Sequence, residues 1–497
     1  MPYVLLSAVA VLFFCWRTLS VNLDPREPPL VKPKMPYIWH LVGMITESTS
    51  YYDRMSKMYP PPIFTMPIFN SKTYIIQAPA LVQSAFRNKN LSFEPFMAEF
   101  AQRMLGVSNK TMAPSLTPAT ETRPSFMDEA HKVIHESLNG PPLQKMNTDM
   151  LNTLSVSFNE LGDSFQPESL FLWLRTMMTM ATADTLFGTH NPLKDEPSPS
   201  DALWDFEAKI IYLIVNPFAK YFLPNAYNGR AALQSALSKF YVAKHDSDPD
   251  VGTIMKAHAK SLRSYGMPDS DIGKIELSIL QVSTTNAIPT TFWHLMFVLS
   301  DPALTELIRE ELLTVITINH KGVKRGVNFD ISKFASHCPL FVSSYGENIR
   351  LSNSAIGSRR VIQDTTITDG KPTYLLRKGA NIQMPTSVAH YNTEIWAEKD
   401  SDRTQKKAYF PFGGGKHLCP GRNFAFAEIL GTVAIMVLGF EVRGVDGEVL
   451  KVPVMGRSGV GEGIAKPGED GVKMSAVLKR RKGWEGVTWG FAVVDKE

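Results

Sequence analysis

Residues 410–425 read Phe-Pro-Phe-Gly-Gly-Gly-Lys-His-Leu-Cys-Pro-Gly-Arg-Asn-Phe-Ala, and the chemistry assigned to them decides how the rest of the chain is read. Three glycines ahead of Lys416 invite a phosphate-binding loop. That loop needs a glycine where Phe410 stands and Ser or Thr where His417 stands, so the pattern fails. Cys419 is the better centre. Glycines let backbone N–H groups approach a sulfur, and a helix starting at Pro420 or Gly421 adds positive potential that favours a thiolate. The segment that follows, RNFAFAEILGTVAIMVL, is plainly helical. An iron-bound thiolate on such a loop pushes electron density onto the metal and favours O–O cleavage. The competing reading is a buried structural cysteine in a Gly-rich turn.

Upstream, residues 61–76 carry strand character in IFTMPIF and TYIIQA. From there to about residue 350 the patterning is helical, with 144–188, 201–222 and 229–244 each reading as helix. One segment begins after Met267-Pro268, where Asp269 or Ser270 can cap it, and runs to Ser300 with only Pro289 interrupting. Some thirty residues make a helix on the order of 45 Å long, enough to cross a domain. Asp301-Pro302 opens another through Ile316. After residue 351 the texture changes to short strands and turns, as in SRRVIQDTTI, Asp369-Gly370 and PTYLLRKGANIQM. The expected class is mainly α with a small β region near each end.

Composition sets outer bounds. The chain has 497 residues, 44% of them hydrophobic, which excludes a largely disordered protein. Its 52 basic and 48 acidic residues give no argument for nucleic acid. Three cysteines cannot form a disulfide framework at this length, which favours a reducing compartment. Residues 2–16 carry no charge until Arg17, and Arg26, Lys32 and Lys34 follow. We read 1–24 as a single N-terminal membrane anchor with the body cytosolic, the rival being a cleaved signal peptide. Five prolines between residues 25 and 36 make a stiff connector, leaving 37–497 as the catalytic body. Two sequons, at Asn90 and Asn109, go unused if that body is cytosolic.

The spacing Phe412-x-x-Gly415-x-x-x-Cys419-x-Gly421 resembles the haem-binding signature of the cytochrome P-450 haem-thiolate family. Upstream, Glu347-x-x-Arg350 resembles that family's helix motif, its two side chains sharing a helix face at i and i+3. The two motifs, with the anchor, connector and long helix, carry the resemblance over nearly the whole chain. It implies haem b held by the Cys419 thiolate, with His417 and Arg359 beside the haem propionates. Arg360 competes with Arg359, and His131, Lys132 and His135 are a weaker third contact.

The resemblance also implies an acid–alcohol pair on the long helix. Here the stretch is Ser-Thr-Thr-Asn-Ala-Ile-Pro over 283–289, with Thr285 at the acid position and Asn286 at the alcohol position. An amide hydrogen-bonds bound oxygen but carries protons poorly, so water must do more of the work. Asn-x-x-Pro followed by Thr-Thr-Phe-Trp is similar to the branch holding bile-acid sterol hydroxylases and prostacyclin synthase. Between Trp396 and Phe410 the chain departs from the family: the usual loop is short, and Arg403 is the only arginine in it.

The function expected is an endoplasmic-reticulum monooxygenase acting on a sterol, terpenoid or similar lipophilic molecule, with electrons from a separate NADPH reductase. Lining candidates are Phe93, Phe96 and Met97 in a loop, Leu280 to Asn286, and Ser354 to Ile356. One alternative is a haem-thiolate isomerase or dehydratase that needs no reductase. The other is a non-catalytic or truncated haem-binding relic, suggested by the short loop.

Overall fold

The run Ile63–Ile68 is apolar apart from Thr65, and in a computed structural model it forms the first strand of a five-stranded sheet. The structure describes residues 23–31, 39–68, 71–195, 198–216, 218–321, 324–370, 372–397, 402–457 and 461–492. The expected anchor therefore lies outside the described residues, apart from 23–24, as do residues 32–36 of the connector. The chain separates into two compact units, each made of non-contiguous segments. One holds residues 1–97, 353–419 and 457–463; the other holds 98–352, 420–456 and 464–497.

The first unit is built on the sheet. Strand β1 (Ile63–Ile68) runs antiparallel to β2 (Ser71–Ile76). Near the other edge, β3 (Leu91–Ser92) pairs with β4 (Ile356–Val361), and β4 pairs with β5 (Asn381–Pro385), which lies parallel to β2. Side chains alternate between the faces, as a two-residue period requires. Ile63, Tyr74 and Ile76 enter one core cluster with Leu81, Val82 and Ala85 of helix α1 (Pro79–Arg87). Phe64, Met66 and Ile75 enter another with Tyr51 and Tyr52. Residues 25–31 of the expected connector lie against this sheet: the Val31 N–H donates to Thr65, and buried Glu27 accepts from Lys72 and Tyr74.

The second unit is helical. Helices α2 (Gly140–Asn159) and α3 (Leu170–Phe187) divide the expected 144–188 helix, because the short strand Ser164–Phe165 and Pro167 intervene. The 201–222 helix is three short ones, Ser200–Glu207, Ile210–Val215 and Ala219–Phe222. The 229–244 segment belongs to α4 (Pro224–Val242). The long helix is also divided, into α5 (Asp269–Thr284) and α6 (Ala287–Leu299). Pro289 has no N–H to give the carbonyl four residues back and its ring crowds that carbonyl, so the helix parts at Thr285–Asn286 rather than at the proline. Neither Asp269 nor Ser270 caps α5: Asp269 is its first helical residue, after Pro268, and binds Lys244 and Arg263 instead.

Residues 316–330, expected to be helical, form a hairpin of Ile316–Lys321 and Lys324–Asp330 that Thr488–Ala492 extends in parallel. The β-branched run Ile-Thr-Ile was the strand signal there. Helix α7 (Pro339–Ser352) and α8 (Arg422–Gly439) complete the unit, with α6 packed on α3, α7 and α8. Helix α8 is long and apolar enough to cross a membrane, yet 78% of it is buried, as in a core helix.

Candidate active site

The Cys419 loop is held by its own backbone. The Cys419 N–H donates to the Phe412 carbonyl at 3.0 Å, Gly413 closes on Phe410, and Leu418 closes on Gly415. Gly413 and Gly415 have φ of +72° and +65°, a region glycine enters without strain. Space is the second constraint. A Cβ on Gly414 would meet the Phe86 ring at 2.4 Å, and one on Gly415 would meet the Phe86 carbonyl oxygen at 2.2 Å. The loop thus lies directly against the end of α1, where Phe86 meets Phe410 edge-on at 5.9 Å. Gly421 is different: its φ is −79° and a Cβ there would meet nothing within 4 Å.

Two cysteines among the described residues are free and differ in environment. Cys338 is fully buried, with its Sγ 3.6 Å from the Glu311 carbonyl, and burial pushes its thiol up to about 12. Such a thiol is inert. Cys419 is partly exposed at the end of its loop, the accessible one of the pair.

Arg359 of β4 lies beside this loop. It is 5% exposed, donates to the Ser358 carbonyl at 2.7 Å and the Gly414 carbonyl at 3.3 Å, and stacks near Phe86 and Phe93 at 5.4 and 5.6 Å. Burial pulls its pKa down to about 10. A buried guanidinium held only by carbonyls and ring faces has no counter-charge in that set, and an anion there relieves the cost. Arg360, its competitor, is half-buried on the alternate face of the strand. The His417 ring meets Phe93 edge-on at 5.8 Å, and Lys416 pairs with Glu94 at 2.8 Å. One unit therefore gathers Phe412, Gly415, His417, Cys419 and Arg359. An accessible thiol, a buried cation and an imidazole form a donor set that fits an iron porphyrin with anionic propionates. Phe93 follows β3, and Phe96 and Met97 sit on the helix Glu94–Leu105, where a loop was expected. Ser354 is buried, its N–H bound to the Gly463 carbonyl.

In the second unit the break between α5 and α6 holds the expected relay residues. Thr285 is buried, and its hydroxyl donates to the Gln281 carbonyl at 2.9 Å while accepting from the Gln281 amide at 3.1 Å. Asn286 is exposed and its side chain caps neither helix. Its carbonyl accepts from the Thr290 hydroxyl at 2.7 Å, and Asn348 of α7 donates to the Thr290 carbonyl, so α7 steadies the first turn of α6. On α7, Glu347 and Arg350 form a two-pronged pair at 2.8 and 2.6 Å, the fork geometry expected of them.

Arg403 is exposed on a short helix, Asp402–Ala408, that fills the abbreviated stretch before Phe410. This helix is tied down by Gln83 donating to the Lys407 carbonyl and by buried Ala408. His131, Lys132 and His135 lie on the helix Phe126–Ser137, and His131 and His135 are 4.7 Å apart. Desolvation lowers the His135 pKa, with the His131 and Arg422 charges adding to it.

Sequence reading missed Phe86, whose place against the glycines leaves no local pattern. It also missed Glu428. This α8 carboxyl is fully buried and accepts from Thr182 of α3 at 3.2 Å, and burial raises it to about 8.

Comparison with known proteins adds three kinds of finding. The family model described as Cytochrome P450 matches residues 28–460. A "Cytochrome P450 monooxygenase" of Gibberella zeae is 33% identical, covering 99% of this chain and 96% of that one. The monooxygenase nodJ of Hypoxylon pulicicidum is 27% identical, covering 99% and 98%. The human "7-alpha-hydroxycholest-4-en-3-one 12-alpha-hydroxylase" is 23% identical, covering 92% and 94%. Among solved structures, retinoic acid-bound cyanobacterial CYP120A1 superposes with a TM-score of 0.67 at 15% identity, covering 92% of this chain and 100% of that one. That last likeness concerns the fold.

Proposed function

The chain belongs to the cytochrome P450 family, haem-thiolate oxidoreductases that use haem b, and on that premise we propose that Cys419 is the axial ligand of a monooxygenase acting on a lipophilic ring compound. The observation carrying this reading is the pinned Cys419 loop with the buried Arg359 guanidinium beside it. Arg359 and His417 would hold the two propionates, while Gly413 and Gly415 let the backbone approach the sulfur. The bound haem supplies an iron centre whose thiolate ligand favours O–O cleavage. Asn286, exposed at the helix break, would offer an amide hydrogen-bond donor where the family has an alcohol. Thr285, its hydroxyl bonded to Gln281, would leave proton delivery to water.

The substrate class, a sterol or terpenoid, is supported on its sterol side by the human relative, a sterol 12-alpha-hydroxylase. A separate NADPH reductase supplies the electrons. We place the protein on the endoplasmic reticulum membrane. The uncharged N-terminal run supports this, as do Tyr212, Val215, Phe218, Tyr221 and Phe222, large apolar residues exposed within one short stretch.

The Thr285–Gln281 bonding favours a second reading, a haem-thiolate isomerase, because that chemistry needs no proton relay. Product formation from sterol and terpenoid substrates is to be compared with and without NADPH, reductase and O2. The monooxygenase requires all three. Turnover of a lipid peroxide with none of them identifies the isomerase.

A further inference from the structure

His190, His245 and Asp248 stand together on the second unit, each offering one ligand atom within 4.8 Å of the others. The Nδ1 atoms of both histidines lie 3.0 Å from the same carboxylate oxygen, Asp248 Oδ2. The two rings stack at 3.7 Å with 17° between their planes. All three side chains reach solvent, with 53%, 33% and 34% of their surfaces exposed.

The backbone that carries them is locked. His190 ends a short turn, Gly188–His190, and His245 begins another, His245–Ser247. The two turns are tied together where Asp250 accepts from both the Thr189 N–H and its hydroxyl at 2.6 Å, and where the Gly252 N–H meets the Leu186 carbonyl. A Cβ on Gly188, whose φ is +67°, would strike the Asp250 carboxylate at 2.7 Å, and Lys244 takes a left-handed φ of 65° to start the second turn. Phe240 supports the second turn from below, 5.8 Å from the His245 ring and 5.3 Å from Phe187.

We propose that His190, His245 and Asp248 form a divalent transition-metal site that takes Zn2+ and clamps the loop after α3 to the loop after α4. Two imidazoles and one carboxylate are a ligand set that binds zinc, with water completing a tetrahedron. Ligands about 2.0–2.1 Å from such an ion stand roughly 3.3 Å apart, close to the 3.0 Å between each Nδ1 and Asp248 Oδ2, and the two rings turn out of their stack so that each in-plane lone pair meets the ion. Each ring moves its remaining proton to Nε2, which faces away from the metal.

The full-length haem-loaded protein, stripped with chelator, is dialysed against Zn2+ alone and the bound metal counted. One Zn2+ per chain is expected. His190→Ala, His245→Ala and Asp248→Asn should each weaken binding by at least about tenfold, and His337→Ala should leave it unchanged. Far-ultraviolet circular dichroism confirms that each variant is folded. No saturable zinc in the parent protein, or the same zinc content in folded His190→Ala and Asp248→Asn, overturns the proposal.

Discussion

The guanidinium of Arg359 donates to the carbonyl oxygen of Gly414, 3.3 Å away, and so fastens a buried cation of the sheet to the glycines that precede Cys419. Strand and loop are thereby set together, and the arginine bears its desolvation with carbonyls as its hydrogen-bond partners. An anion held beside it recovers part of that cost.

Arg359→Ala is therefore expected to weaken haem retention. A charge-assisted hydrogen bond contributes about 1.5–3 kcal/mol, which corresponds to about ten- to hundredfold weaker haem binding. Arg359→Lys keeps the charge without the fork and should fall between the two. The haem-to-protein ratio and the rate of haem transfer to apomyoglobin read the effect; an Arg359→Ala protein that keeps haem like the parent contradicts the role given to this residue.

The two signature glycines should behave differently. Gly415→Ala places a Cβ against the Phe86 carbonyl oxygen at a positive φ, with a cost of about 1–3 kcal/mol of strain and a displaced loop. Gly421→Ala meets open space at an ordinary φ and should be close to silent. Melting temperature and the fraction of protein showing a thiolate-type spectrum separate them. Equal effects at both positions would show that the loop geometry described here is not what selects glycine.

Two buried ionisable groups of the helical unit set opposite pH slopes. Burial raises Glu428 to about 8, so the folded chain keeps a proton that the unfolded chain loses above about 4.5. Stability from this group is present below that value and is lost as pH rises toward 8. Burial lowers His294 to about 3, between Phe341 and Tyr345 and with Ser344 at 2.9 Å. The unfolded chain then takes up a proton below about 6.5 that the folded chain refuses, and stability falls as pH drops from there. Glu428→Gln should flatten the alkaline side of a plot of melting temperature against pH, and His294→Gln the acid side. Parallel curves for parent and variants would remove both assignments.

What the sequence disclosed follows from how local each signal is. The Cys419 loop, the Glu347–Arg350 pair and strands β1 and β2 were legible because glycine spacing, i to i+3 pairing and apolar runs are written in neighbouring residues. The division of the long helix was half-legible: Pro289 marks it, but the ring acts on a carbonyl four residues earlier, so the break sits at Thr285–Asn286. The hairpin at 316–330 has only a short local signal in Ile-Thr-Ile, and the strand that completes its sheet, Thr488–Ala492, lies more than 150 residues away. Phe86 and Glu428 acquire their roles only through tertiary packing, Phe86 against the glycines and Glu428 against Thr182. No spacing in the chain announces either.

Thiolate ligation by Cys419 is the central claim, and the carbon monoxide difference spectrum of the dithionite-reduced protein tests it most directly. The account predicts a red-shifted, thiolate-type Soret band in the parent protein and its loss in Cys419→Ser, with Cys338→Ser unaffected. A band at the unshifted position in the parent, no haem at all, or a red-shifted band that survives Cys419→Ser would contradict it.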